Sequence, residues 1–335
     1  MLIKQEIDPG NTFKMDTTNT IVTQFAKDVI KGFGKKPKSI SSKYFYDAKG
    51  DQIFQQIMHM PEYYLTRAEH EIFDEQYNQI CQAINAFDEP FNLIELGAGD
   101  GYKTKLLLKY LLEQHAEFTY YPVDISENIL AELAISLRGM FPPLKFHPLN
   151  YEYFEALKQL NKLSDRKNVI LFLGSNIGNF HFEEAEVFIK ELADNSKRND
   201  MLLIGVDLKK DPNIIQLAYD DPKGITAAFN LNLLNRMNHE LGANFDLNRF
   251  EHLAFYEQES GEMLSYIVSL FDQKVYFDAM DMSFNFEKGE RIHTEVSKKY
   301  SKEEIRLLAE GQGLELTKYF TDSNNYFTDV LLTIK

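Results

Sequence analysis

The chain has 335 residues, enough to bury a full core and divide it between two structural units. Hydrophobic residues make up 44% and charged residues 26%, which excludes a disordered chain. Acids outnumber bases by 51 to 36, for a net charge of −15, and no Lys/Arg-rich run offsets that field, so nucleic acid is excluded as an expected partner.

Cys81 is the single cysteine, which rules out an internal disulfide and a thiolate zinc cluster. The eight histidines show no ligand spacing such as H-E-x-x-H, so no metal is expected. The opening residues lack the basic head and apolar run of a signal peptide, and no stretch approaches about 18 continuous apolar residues. The expectation is a cytoplasmic protein with a small-molecule substrate, no nucleic-acid or membrane partner, and a monomeric or weakly self-associating state.

In chain order, residues 1–20 are polar and read as a loosely held arm. Ile21, Phe25, Val29 and Phe33 fall at helical spacing, with Gly34 as a stop. Residues 51–60 and 66–86 read as helices, the second opening with Thr66 and Glu69 as a capping box. From residue 92 short apolar runs alternate with helices. NLIEL, FTYYPVDI, LKFHPLN, NVILFLG and MLLIGVDL are strands, with helices near 102–114, 127–139, 152–161 and 182–194 between them. That alternation predicts a parallel sheet covered on both faces. Beyond Pro212 it stops. Residues 213–240 read as helical and 250–290 as strands. A Ser-capped helix near 301–312 leads to a final strand pair, with the chain's end returning to the sheet.

The first strand ends in Glu95-Leu96-Gly97-Ala98-Gly99-Asp100-Gly101. Glycines at the carboxyl end of a first strand let a ligand approach the backbone and the amides opening the next helix. A dehydrogenase would show G-x-G-x-x-G. The G-x-G-x-G spacing after an acid suits an amino acid nucleoside without a pyrophosphate, as in methyltransferases; a plain tight turn is the alternative. Asp124 ends the second strand, where a carboxylate can accept from both ribose hydroxyls or merely cap a helix. Asn150 and Tyr151 follow the third strand, where an amide and a flat ring suit adenine. The fourth strand ends in LFLGSNIGNF, whose glycines and asparagines expose amides beside polar side chains.

With these residues in place, the sequence resembles the histidine-specific Nα-methyltransferases of ergothioneine biosynthesis, whose relatives methylate other aromatic amino acids. The resemblance runs through KYFYDAKGDQIFQQIMHMPEYYLTRAEHEI, ELGAGDGYKTKLLL, YPVDIS, LFLGSNIGNF, GVDLKKDP, AYDDPKGITAAFNLNLLNRMNHELGANFD, FEH and RIHTEVSKKY. It implies an α/β fold, a Rossmann-like class I methyltransferase sheet with an inserted α+β substrate-binding domain. S-adenosylmethionine is the implied cofactor. Gly97, Gly99, Lys103 and Asp124 are its expected contacts, with Asn150 and Tyr151 at the adenine. Tyr46 and Tyr63 line the amino acid pocket, and Tyr46 is the candidate to relay the amine proton through a water. Gly174, Asn179 and Tyr219 hold the substrate's backbone atoms, and Glu295 and Ser297 meet its imidazole. The expected methyltransferase domain spans residues 68–210 and 298–335, and the expected substrate-binding domain spans residues 1–67 and 211–297.

The implied activity is N-methylation of an amino acid α-amine, most simply L-histidine, up to trimethylation. The alternatives are another aromatic amino acid or amine and, from other classes, a nicotinamide-dependent oxidoreductase or a non-catalytic binding protein. One departure concerns the substrate. Histidine-specific members carry a Met against the substrate ring, and the alignment places Tyr266 there.

Overall fold

The computed structural model describes residues 17–335, with side chains from residue 24 onward. The expected arm lies outside the described residues as far as residue 16. A helix already runs over Thr17–Phe33, so residues 17–20 belong to that helix. By contacts the chain divides into two compact units: residues 1–51, 229–252 and 266–294 in one, and 52–228, 253–265 and 295–335 in the other.

The larger unit is a three-layer α/β/α body. Its six-stranded sheet has the order Leu314–Thr321, Phe327–Ile334, Met201–Asp207, Lys167–Phe172, Phe91–Leu96, Phe118–Val123. The last four strands of that order are parallel, and Phe327–Ile334 runs antiparallel to both of its neighbours. LKFHPLN, expected as a strand, forms only isolated parallel bridges, Tyr120↔Phe146 and Val123↔Leu149. Pro148 removes a donor from that edge.

Successive side chains of the sheet enter opposite cores, as the period of two requires. Leu93, Val169, Leu171 and Leu203 pack beneath Tyr64–Ala83, Thr104–Glu113 and Glu127–Met140, while Ile94, Ile170, Phe172 and Ile204 pack beneath Tyr153–Leu163, Phe182–Asp194 and Lys302–Glu310. Burial on both faces explains why these strands read as continuous apolar runs. The expected Ser301 cap is present, with Glu304 completing its capping box.

Two sequence expectations are corrected. The helix expected from Thr66 begins at Tyr64, and its N-cap residue Tyr63 makes no side-chain cap bond. Glu69 therefore lies inside the helix, buried, with another task. In addition, Arg291–Lys298 is a strand that the reading over 250–290 stopped short of. It belongs to a four-stranded sheet with Lys38–Ser39, Glu262–Ser269 and Phe250–Glu257.

The smaller unit contains the hairpin Gln273–Phe277 and Met282–Phe286. Phe33, Phe245, Phe277, Phe284 and Phe286 cluster there with ring centroids 5.5–6.5 Å apart, mostly edge to face, so much of this Phe-rich chain's aromatic content serves as core.

Candidate active site

Sequence order reverses between Phe91–Leu96 and Lys167–Phe172, and an open parallel sheet offers its ligand crevice beyond the carboxyl ends of such strands. The glycine turn and the LFLGSNIGNF turn both emerge there. Gly97, Gly99 and Gly101 all have positive φ, +74°, +54° and +65°, a region that side chains with a Cβ rarely adopt. The amides of Gly97 and Ala98 donate to the Val123 carbonyl at 2.8 and 3.1 Å, which ties the turn to the end of the next strand. Asp124 is thereby brought alongside, and its Oδ2 accepts from the Gly99 amide at 3.2 Å.

A Cβ on Gly99 would meet nothing within 4 Å, whereas one on Gly97 would lie 3.1 Å from the Tyr153 hydroxyl and 3.6 Å from the Asn176 amide nitrogen. The turn is thus open above Gly99 and walled at Gly97. That shape leaves room for a ligand against the Gly99 backbone with a carboxylate beside it. Ser126 is the N-cap of the following helix, and Asp124 Oδ1 accepts from the Ser126 amide at 2.9 Å, which holds the carboxylate at the strand end. The Asn150 side chain donates to the Asp124 carbonyl at 3.1 Å, and Tyr151 is exposed, as a ring that stacks on a ligand must be. Tyr153 and Asn176 were not singled out in the sequence, although Asn176 stands inside the LFLGSNIGNF turn that was.

Lys103 forms a close ion pair with buried Glu69, whose other oxygen accepts from the Gly174 amide at 2.7 Å. Burial works against the Lys103 ammonium, but the Glu69 carboxylate outweighs it and holds its pKa above the ordinary range. A Cβ on Gly205 would come within 2.2 Å of the Glu69 carboxylate, so the neighbouring strand must carry glycine there. Glu69 thus joins Lys103 to Gly174, two expected site residues from distant segments.

Glu95, the acid before the glycines, lies beneath the turn. Thr104 donates to it at 2.5 Å, and Tyr120 donates to its other oxygen. Burial pushes its pKa up to about 7, against the pull of those hydroxyls. A carboxyl whose folded value is raised favours the folded state below its unfolded value, roughly 4.3, and that contribution is lost as pH rises through the folded value. Glu95→Gln is therefore expected to gain stability over wild type between pH 5 and 8, on the order of 2–3 kcal/mol. Urea midpoints at the two pH values measure this; an equal midpoint difference at both would show that Glu95 does not titrate there.

Two of the expected acceptor residues of the larger unit, Tyr63 and Ser297, lie against Tyr219. The Tyr63 ring lies 6.2 Å from that of Tyr219, and Met263 packs into the same apolar cluster. The Tyr219 hydroxyl is 2.8 Å from Ser297 Oγ. Ser265 donates to Glu295 Oε2 at 3.2 Å. Burial raises the Glu295 pKa, opposed by the Ser265 hydrogen bond and by the Lys299 charge. Gly178 packs the LFLGSNIGNF turn onto this strand, since a Cβ there would lie 2.8 Å from the Lys298 carbonyl; Asn179 follows it, exposed.

The Tyr266 ring, expected against the substrate ring, lies 5.2 Å from His293 with the Arg291 guanidinium over it, and the neighbouring Ser265 donates to Glu295. Tyr46 belongs to the smaller unit, half exposed, with its ring 5.7 Å from that of Phe229.

The strand order, the open glycine cradle and the strand-end carboxylate define a class I methyltransferase that uses S-adenosylmethionine. The chain belongs to the family of histidine-specific, SAM-dependent methyltransferases, which it matches over residues 25–334. It is 34% identical over 296 residues to the histidine N-alpha-methyltransferase of Mycolicibacterium smegmatis, covering 88% of this chain and 90% of that one. Against the histidine N-alpha-methyltransferase of Mycobacterium tuberculosis the identity is 33% over 301 residues, covering 90% and 92%. It is also 32% identical over 302 residues to ergothioneine biosynthesis protein 1 of Schizosaccharomyces pombe, covering 87% of this chain and 38% of that protein. Among the described residues no helix is long and apolar enough to cross a membrane.

Proposed function

We propose that the enzyme methylates the α-amine of L-histidine, up to the trimethylated betaine. The observation that carries this is the group of buried Tyr219 and Ser297 with half-buried Glu295, whose carboxylate accepts from Ser265. Tyr219 and Asn179 offer neutral donors for the substrate carboxylate. Glu295 accepts from one imidazole nitrogen while Ser297 or Tyr63 serves the other. An apolar ring would leave these buried polar groups unpaired, and that penalty is the source of discrimination.

In this reading residues 68–210 and 298–335 hold the cofactor, and 1–67 and 211–297 supply the acceptor pocket. Gly97, Gly99 and Lys103 line the cofactor's amino acid end, Asp124 takes the ribose, Asn150 and Tyr151 take adenine, and Gly174 holds acceptor backbone atoms. S-adenosylmethionine, when bound, supplies a methyl on an already electrophilic sulfonium. The chain's task is therefore to align the amine and exclude water. An ammonium has no lone pair, so the amine must first lose a proton, and Tyr46, through a water, is the group assigned to relay it.

The test is incubation with S-adenosylmethionine and each of the twenty amino acids, followed by mass analysis. The expected product is histidine carrying one to three added methyl groups. The small, polar Ser265 beside Glu295 favours a second reading, another aromatic amino acid. Methylated tryptophan or tyrosine with untouched histidine would establish that reading and reject the role given to Glu295.

A further inference from the structure

We infer that Lys299 is a positioning residue for the acceptor, fixing the Tyr219–Ser297 hydroxyl pair so that one O–H is turned outward as a donor and the site accepts amino acids and refuses their decarboxylated amines. The inference rests on the proposed function, in which these two hydroxyls face the acceptor.

Lys299 is fully buried. Its ammonium donates to the Tyr219 hydroxyl at 2.9 Å and to Ser297 Oγ at 2.8 Å, and pairs with Asp207 Oδ2 at 2.8 Å. An ammonium has three protons and no acceptor, so these three contacts use its whole capacity. Both hydroxyl oxygens must then accept from Lys299, and because one hydroxyl donates to the other, a single O–H of the pair is left to point away from the lysine. With the 2.8 Å contact between Tyr219 and Ser297, the three groups form a closed triangle whose donor direction the lysine sets.

The charge is placed to the same end. Asp207 is shared: Lys210 pairs with its Oδ1, and the Tyr64 hydroxyl donates to both of its oxygens, at 2.9 and 2.8 Å. Burial alone would raise the Asp207 pKa, but Lys299 and Lys210 outweigh it and hold the carboxyl below the ordinary range. Two ammonium groups thus share one carboxylate at this spot, and the positive charge left over lies directly behind the Tyr219 and Ser297 hydroxyls. One ammonium therefore acts on the expected carboxylate contact through Tyr219. A hydroxyl polarised by a charge behind it is a stronger donor to an anion than a neutral one.

The experiment compares wild type with Lys299→Met. The acceptor is whichever amino acid the wild type methylates best, and its decarboxylated amine is assayed as a competing inhibitor: histidine and histamine, if the proposed function holds. The expected result is a rise in amino acid KM of about 10- to 100-fold, while the amine's inhibition constant and the affinity for S-adenosylhomocysteine stay within about threefold. A merely structural lysine would weaken amino acid and amine together. Parallel losses, no loss, or a wild type that binds the amine as tightly as the amino acid each overturn the inference. Should Lys299→Met fail to fold, Lys299→Met/Asp207→Asn removes both charges of the pair and is read in the same way. A wild type that prefers another amino acid rejects histidine as the substrate and leaves this comparison intact.

Discussion

Replacing Glu295 by Ala is expected to lower kcat/KM for histidine by about 10- to 100-fold, the cost of leaving a buried ring nitrogen without its charged partner. Affinity for S-adenosylhomocysteine is expected to stay within about threefold, because the glycine turn and Asp124 belong to other strands. The effect also has a pH signature. Burial raises the Glu295 pKa, so its proton arrives as pH falls before the ordinary glutamate range is reached. Protonation removes the acceptor charge, so histidine KM should rise on the acid side in wild type. Glu295→Gln should abolish that limb and show a weak KM at every pH. Unchanged histidine selectivity in Glu295→Ala would end the case for an imidazole contact.

The second large effect concerns the cofactor. Asp124→Ala is expected to weaken S-adenosylhomocysteine binding about 100-fold, since the proposed function gives Asp124 two hydrogen bonds from ribose hydroxyls, lost at ~1.5 kcal/mol or more each. The Gly99 amide, which now donates to Asp124, would also lose its partner. Asp124→Asn, which keeps one acceptor oxygen, should fall between. Calorimetric titration checks this, with the urea midpoint as the control for folding. A loss under threefold at unchanged stability would place the ribose elsewhere.

The legible segments of the site share one property: they are contiguous. The glycine turn, Asp124 and LFLGSNIGNF each announce themselves within a few residues, because a tight turn at a strand end needs glycine locally. Their convergence was legible too, since alternating strands and helices fix which strand ends share one edge of the sheet. Glu69 was misread for the opposite reason. Three residues after Thr66 it satisfies a capping pattern, and only the arrival of Lys103 and the Gly174 amide at one point shows what it binds. The surroundings of Tyr266 were not legible for a similar reason, since His293 and Arg291 reach its ring from a separate strand.

The amino-acid sequence by itself determined the class of this protein: hydrophobic period, turn glycines and strand-end polar residues are local requirements, written where they act. Tertiary structure alone decided how charge is arranged behind the Tyr219 and Ser297 hydroxyls. Asp207, Tyr219 and the stretch that carries both Ser297 and Lys299 meet only in the fold, and a buried ammonium is tolerated only where a carboxylate and hydroxyls surround it in space. No spacing along the chain encodes that enclosure, because it is a property of packing.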